Sequence, residues 1–541
     1  MFHQMVLVCL ILFGSVVQAV PAPSVVIGPG TIVGTTTILP SSTAAVNKFQ
    51  GIPYARPPVG EKRFLPPQPY DSFDETPLNA TAWGSKCFQF DSSITLLPLM
   101  VLKTNHVDDD GIAESEDCLF LNVYAPATVG CRKFGLPVLM WIHGGWLRSG
   151  TASQPMFDGS SFASDQGIVV VTFNYRLNVF GFPNSGQLPL RAQNLGFLDQ
   201  RLALEWVQTN IHAFGGDPAQ VTIAGESSGG SSVDRLVTTI HTDPPFRAAA
   251  LSSGQATVSA ISRDAGPRSW AALVSFLGCT GDDEMACVRK VDATTLRNVT
   301  AANGLDFSPV NDNFTQMELP YLPSRAAGGL APVPILIGTT GQEGTYLAPS
   351  NHLDIPSFTE PALAEFLNGL TGGNLELIGG LLQVIQFIQQ TSGTSLFHAA
   401  TQVYTEIVYQ CTSANSDIPT WRYYYNASFP NLAPEGYTSE ELGASHGSDT
   451  SMIWGTYPRE EATDRQVGMS RYLQAMWASF VKEPSKNGLG WEEVSVEGDN
   501  IACIGCEDGE DMILVDSAAV DGHCAIYNSF FQRVKTPFVK V

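Results

Sequence analysis

Apolar positions along the chain follow two rhythms. Short unbroken runs recur at residues 138–142 (VLMWI), 168–175 (IVVVTFNY), 221–224 (VTIA) and 333–338 (VPILIG), the pattern of strands buried on both faces. Between them the spacing is helical. From Asn194, NLGFLDQRLALEWVQTNI places Leu198, Leu202 and Trp206 four apart. Near the C-terminus, Met469, Tyr472, Leu473, Met476, Trp477 and Phe480 fall at i, i+3, i+4, i+7, i+8 and i+11. Strands alternating with helices predict an α/β fold, its mostly parallel sheet covered by helices on both faces. The early stretch GTIVGTTTILPSSTAAVNKFQGIPY, from Gly30, reads instead as a small antiparallel meander.

The first apolar run, residues 5–17, has another meaning. It is shorter than the ~20 residues that span a bilayer, and small residues follow at Val17-Gln18-Ala19, so residues 1–19 read as a secretory signal peptide cleaved after Ala19 and not as a membrane anchor. Without a linker or an internal repeat, residues 20–541 read as one domain. Export predicts disulfides and glycans: ten cysteines are present, nine of them after Cys9, and Asn79, Asn298, Asn313 and Asn426 each open an N-x-[ST] acceptor. A net charge of -23 opposes nucleic acid and anionic membranes as partners and leaves a small neutral or apolar molecule as the expected ligand. The pattern sets no oligomeric state.

Two stretches match G-x-S-x-G, the motif of a nucleophilic serine on a tight turn: GESSG at 225–229 and GASHG at 443–447. Context separates them. Ser227 follows the run VTIA, and Val233, Leu236, Val237 and Ile240 then mark one face of a helix. A serine between a strand and a helix N-terminus stands where the helix dipole favours developing negative charge. Ser445 has no apolar run before it, only the largely polar TSEELGA, and His446 within its motif suggests another role.

These residues and others resemble the type-B carboxylesterase/lipase family of α/β-hydrolases, especially its secreted fungal members. The likeness runs through FQGIPYARPPVGEKRFLPP, SEDCLFLNVYAP, PVLMWIHGGW, NYRLNVFGF, NLGFLDQRLALEW, FGGDPAQVTIAGESSGG, GTTGQEGTY and ASHGSD. It implies an α/β-hydrolase fold and a serine hydrolase that cleaves carboxylic esters through an acyl-enzyme, without metal or cofactor. The family order of serine, acid and histidine maps onto Ser227, Glu343 and His446. Glu343 lies in a Gly-rich turn after the run VPILIG, where open α/β sheets bind ligands. Backbone donors for the oxyanion fall to Gly145, Trp146 and Ser228. His143 is the rival base, and fits better as packing beside the oxyanion loop. The resemblance further implies disulfides Cys87–Cys118 and Cys279–Cys287 and a structural ion pair of Arg63 with Glu116. Cys131, Cys411, Cys503, Cys506 and Cys524 stay unassigned; a zinc site from Cys503, Cys506, His523 and Cys524 is the less expected use in an exported chain.

Three positions depart from the family: HGGW for HGGG, GESSGG for GESAGG, and HGSD where a glutamate often stands. Between Cys87 and Cys118 there is no tryptophan of the kind that holds a quaternary ammonium. That loop carries ITLLPLMVL (94–102), which reads either as a lipase lid or as packing against the core. The alternatives to an esterase are therefore a lidded lipase, a serine carboxypeptidase and, outside catalysis, an adhesion or binding protein.

Overall fold

The computed structural model describes residues 22–527 apart from 41, 43, 90–110, 128–134, 256–264, 318–328, 348–354, 412–419, 486–488, 495–499 and 508. The apolar segment 94–102 and Cys131 lie outside the described residues.

Eleven strands form one sheet: β1 (Thr35–Ile38), β2 (Ala45–Pro53), β3 (Phe120–Pro126), β4 (Leu136–Ile142), β5 (Val169–Phe173), β6 (Gly216–Glu226), β7 (Ala248–Ser252), β8 (Ile335–Thr340), β9 (Thr420–Tyr425), β10 (Ile501–Ile504) and β11 (Met512–Val515). Their order across the sheet is β1-β2-β3-β5-β4-β6-β7-β8-β9-β10-β11. Pairing is parallel from β5 to β10 and antiparallel at both margins. All four predicted apolar runs are strands of the parallel part, buried throughout most of their length.

Two-residue alternation divides the core. On one face of the sheet Val138, Met140 and Ile142 pack with α1 (Leu195–Asn210) and α2 (Ser228–Thr239). On the other, Leu139 and Trp141 pack with α4 (Asp464–Lys482), which follows α3 (Leu396–Thr405) in the chain. Trp141 meets Trp454 edge-on at 5.3 Å and Trp477 at 5.9 Å. Large side chains buried in this way each contribute about 1.5–3 kcal/mol, so the core carries stability and leaves the strand ends free for chemistry.

Two local expectations change. In α1, Leu198 and Leu202 are only half-buried, whereas Leu195, Asp199, Ala203, Trp206 and Val207 are buried. The cause is polar: Asp199 accepts from the Arg176 backbone N–H, Nε and Nη2 at 2.7–3.0 Å, and this buried pair turns the helix toward residue 176. The N-terminal meander is split at Gly34. Gly30–Val33 pairs with Ser24–Ile27 in a separate small sheet, while β1 and β2 join the large one. A Cβ at residue 34 would stand 2.2 Å from Lys48 O, so the chain passes between the two sheets where only glycine fits.

Disulfides join Cys87–Cys118, Cys279–Cys287, Cys411–Cys524 and Cys503–Cys506. The last two occupy three of the ligands a zinc site would need. Arg63 ties three loops together. Its Nε and Nη2 donate to Glu116 at 2.6 Å each, and Nη1 donates to the carbonyls of Val288, Arg289 and Val291 beyond the Cys279–Cys287 bridge. Removing one partner of such a buried, bidentate pair strands the other charge. Arg63→Ala is therefore expected to lower unfolding stability by about 3–5 kcal/mol in urea titrations. A loss under 1 kcal/mol would show that the knot carries little.

Candidate active site

Ser227 stands between β6 and α2 with φ 57° and ψ −127°. A positive φ costs a residue with a side chain about 1–2 kcal/mol, and the surroundings hold it in place. Its N–H donates to Ser252 O at the end of β7, and its carbonyl accepts from Ser231 N, both at 2.9 Å. Helix α2 crosses β4 so closely that a Cβ at Gly229 would stand 2.0 Å from Ile142 O. The glycines of GESSG thus permit a strand-to-helix crossing that sets the serine at the helix N-terminus.

Glu343 opens a short 3-10 helix, Glu343–Tyr346, just past the end of β8. Its Oε1 accepts from Thr340 N at 2.8 Å and its Oε2 lies 2.6 Å from His446 Nδ1. Both side chains are 0% exposed. The two loops are knit by Gln342, a residue that no motif marks: its N–H donates to Ala444 O at 2.9 Å, and its Oε1 accepts from Ala444 N at 2.7 Å. Acid and histidine are therefore positioned by one clamp.

The other nitrogen of His446 is contested. Nε2 lies 3.3 Å from Glu226 Oε1, close but not aligned as a hydrogen bond, and neither atom has another hydrogen-bond partner among the described residues. Glu226 directly precedes Ser227, which brings the elbow to the histidine. The Ser227 hydroxyl itself is not hydrogen bonded to Nε2 here, a common state in ligand-free sites. Asp449 supplies a third buried carboxylate; its Oδ2 accepts from Tyr423 OH at 3.0 Å and Ser252 Oγ at 3.1 Å, not from the histidine.

Burial drives the electrostatics. It pushes the Glu226 carboxyl up to about 7 and Asp449 up to about 6, in both cases helped by neighbouring carboxylates. For His446 burial opposes the charged form, yet attraction to Glu343 first, then to Glu226 and Asp449, outweighs it and raises the imidazole above its ordinary value. His143 behaves differently. Wholly buried, stacked on Tyr175 at 4.4 Å and bonded through Nδ1 to Gly144 O, it is pushed down to about 4 by burial. Ser445 lies buried in the turn that carries His446, its N–H bonded to Gly443 O.

The loop after β4 has three successive positive φ values: Gly145 at 105°, Trp146 at 59° and Leu147 at 61°. A Cβ at Gly145 would stand 2.3 Å from Ser149 O. Leu147 is buried and its N–H donates to Ser228 Oγ at 3.3 Å, so the hydroxyl that departs from the family pattern fastens this loop to the elbow. Trp146 is 36% exposed, the only exposed one of the nine tryptophans, and makes no ring contact or hydrogen bond among the described residues.

Of the N-x-[ST] positions, Asn79, Asn298 and Asn313 are exposed; Asn426 is half-buried, its Oδ1 accepting from Gln342 Nε2 at 3.2 Å. Other residues at the site escaped sequence reasoning. Tyr346 had a signal, lying three residues after Glu343 on a 3-10 turn and so on the same face. Tyr409, with its ring 4.8 Å from His446, had none.

Residues 21–510 match the carboxylesterase family. The chain is 32% identical over 468 residues to para-nitrobenzyl esterase of Bacillus subtilis, covering 82% of this chain and 88% of the other. It is 30% identical over 505 residues to liver carboxylesterase 1 of Oryctolagus cuniculus, covering 85% of each. It is also 30% identical over 492 residues to secreted lipase 5 of Gibberella zeae, covering 82% and 83%.

The carboxylate cluster makes a prediction about stability. A carboxyl whose folded pKa is raised costs nothing below its unfolded value and progressively destabilises the fold as pH rises through the folded one. For Asp449 that window runs from about 4 to about 6. Asp449→Asn should thus gain stability over the parent by about 2–3 kcal/mol between pH 4 and pH 7, read by chemical unfolding at each pH. A pH-independent difference would mean that Asp449 is not titrating in the fold.

Proposed function

The chain belongs to the carboxylesterase family and is a carboxylic-ester hydrolase, and on that premise we propose that Ser227 is the nucleophile, His446 the general base and Glu343 the group that orients and steadies the imidazolium. The observation that carries this assignment is the Glu343–His446 bond, fully buried beside a serine on a strained elbow. Ser227 Oγ attacks the ester carbonyl, its proton passes to Nε2, and the same proton then goes to the leaving alcohol. Water, activated by His446 in turn, releases the acid from the acyl-enzyme. The N–H groups of Gly145, Trp146 and Ser228 receive the oxyanion.

The substrate is a small neutral or apolar ester. We infer export as a single catalytic domain with a cleaved leader at residues 1–19, which four disulfides and the likeness to a secreted fungal lipase favour. No helix of the described residues is long and apolar enough to cross a membrane.

A fluorophosphonate probe should label Ser227 and no other serine, and Ser227→Ala should abolish labelling and reduce turnover to the residual effect of the oxyanion donors, about 10³ to 10⁴ over water. Glu343→Gln should lower kcat by orders of magnitude with KM little changed. Labelling at Ser445, or a silent Glu343→Gln, would overturn the assignment.

Trp146 bears on selectivity. Its backbone is strained and its indole is 36% exposed, on the loop that would hold the oxyanion. Trp146→Gly is expected to raise kcat/KM for esters of bulky, branched alcohols relative to a linear ester of the same acid. Equal changes for both esters would remove Trp146 from substrate selection.

A further inference from the structure

When Ser227 Oγ bonds to the ester carbon, its proton moves to His446 Nε2 and the carbonyl π pair moves onto oxygen. A full positive charge then rests on an imidazole that is 0% exposed, where no bulk water can solvate it. Carboxylates serve the ring edge, Glu343 at Nδ1 and Glu226 near Nε2. Beside the ring lie two aromatic rings: Tyr409 with its centroid at 4.8 Å, inclined 38°, and Tyr346 at 5.3 Å, inclined 40°. Both are within the roughly 6 Å over which an aromatic face attracts a cation.

The chain goes to some length to hold Tyr409 there. Helix α3 does not continue regularly but widens into a π turn, Glu406–Gln410, in which Cys411 N donates to Glu406 O at 2.8 Å. Such turns recur at functional sites because the extra residue re-aims the side chains that follow. Both ends of this turn are anchored from the C-terminus. Glu406 accepts from Tyr527 OH at 2.5 Å and pairs with His523 Nδ1 at 2.8 Å, and Cys411 is bonded to Cys524. Tyr346 is fixed by the 3-10 turn that also carries Glu343, and its hydroxyl meets that of Tyr404 at 3.3 Å.

We propose that Tyr409, seconded by Tyr346, is a positioning residue of the hydrolase: its ring stabilises the His446 imidazolium by cation–π attraction and keeps the imidazole aligned with Glu343. This rests on His446 being the base. The titratable groups around His446 are Glu343 and Tyr346 from the 3-10 turn, Glu226 from the end of β6, Asp449 from the loop after His446 and Tyr409 from the π turn, with Tyr404 of α3 behind the two tyrosine rings. Among these, the carboxylates attract the cation by charge, and Tyr409 and Tyr346 by ring quadrupole.

The sign of one measurement separates this role from simple packing. Losing a ring that favours the cation lowers the pKa of His446. Losing mere filler admits water, relieves the desolvation that holds the pKa down, and raises it. In Tyr409→Leu the acid limb of kcat/KM should therefore move down by roughly half a unit to one unit, and plateau kcat/KM should fall by roughly threefold to tenfold. Tyr409→Phe keeps the ring and should restore both. Because Glu226 titrates nearby, the midpoint is also read from the ¹⁵N resonances of His446 itself. Should Tyr409→Leu fold poorly, phenylalanines bearing one, two or three ring fluorines at position 409 keep the shape while weakening the quadrupole, and the midpoint should fall stepwise with fluorine count. An unchanged or raised midpoint in Tyr409→Leu, or a flat fluorine series in an enzyme that His446→Gln inactivates, would overturn the clamp alone. An active His446→Gln would overturn the triad assignment and the clamp with it.

Discussion

An imidazole with no solvent exposure, set among three carboxylates, is the constraint around which the rest of this structure is arranged. Buried charge is tolerated only where hydrogen bonds and countercharges satisfy it. Here those partners come from adjacent strand ends: Glu226 from β6, Ser252 from β7, the Thr340 N–H from β8 and Tyr423 from β9. Neighbouring parallel strands all present their C-terminal ends at one rim, so the sheet order itself supplies the site. Even the plain positions serve this. Gly338 in β8 has no side chain because Tyr423 crosses it, with a ring carbon 1.8 Å from where a Cβ would stand, on the way to Asp449.

Two strained turns adjoin this polar cluster. Ser227, Trp146 and Leu147 adopt positive φ without being glycine, and they lie on the two turns that flank the scissile bond in the proposed mechanism. The Ser228 hydroxyl links those turns through Leu147 N, so neither relaxes alone. Leu147 recovers part of its cost by burial. Trp146 recovers less, since its indole stays 36% exposed.

Much of this was legible beforehand because it depends on short-range pattern. The runs VLMWI and VTIA are strands since unbroken apolar stretches suit a sheet covered twice, and GESSG is an elbow since its glycines answer to close backbone crossings. What stayed hidden depends on partners distant in sequence. The buried face of α1 is set by Asp199 meeting Arg176, which leaves Leu198 and Leu202 half-buried while Trp206 keeps its place in the core. The meander divides at Gly34 because Lys48 O lies against it. Tyr409 reaches His446 only through a π turn, and periodicity carries no mark of such a turn. Gln342 looked like filler between a glycine and the acid, although it fastens two loops 102 residues apart.

The Cys411–Cys524 bridge spans 113 residues, and within that span lie His446, α4 and the last three strands of the sheet. The region that carries His446 is thus a covalent ring closed through the π turn. A protease cutting once anywhere inside it would leave a molecule of unchanged mass apart from one added water, its two pieces still joined and separable only after reduction. That topology makes chain integrity and molecular integrity different properties.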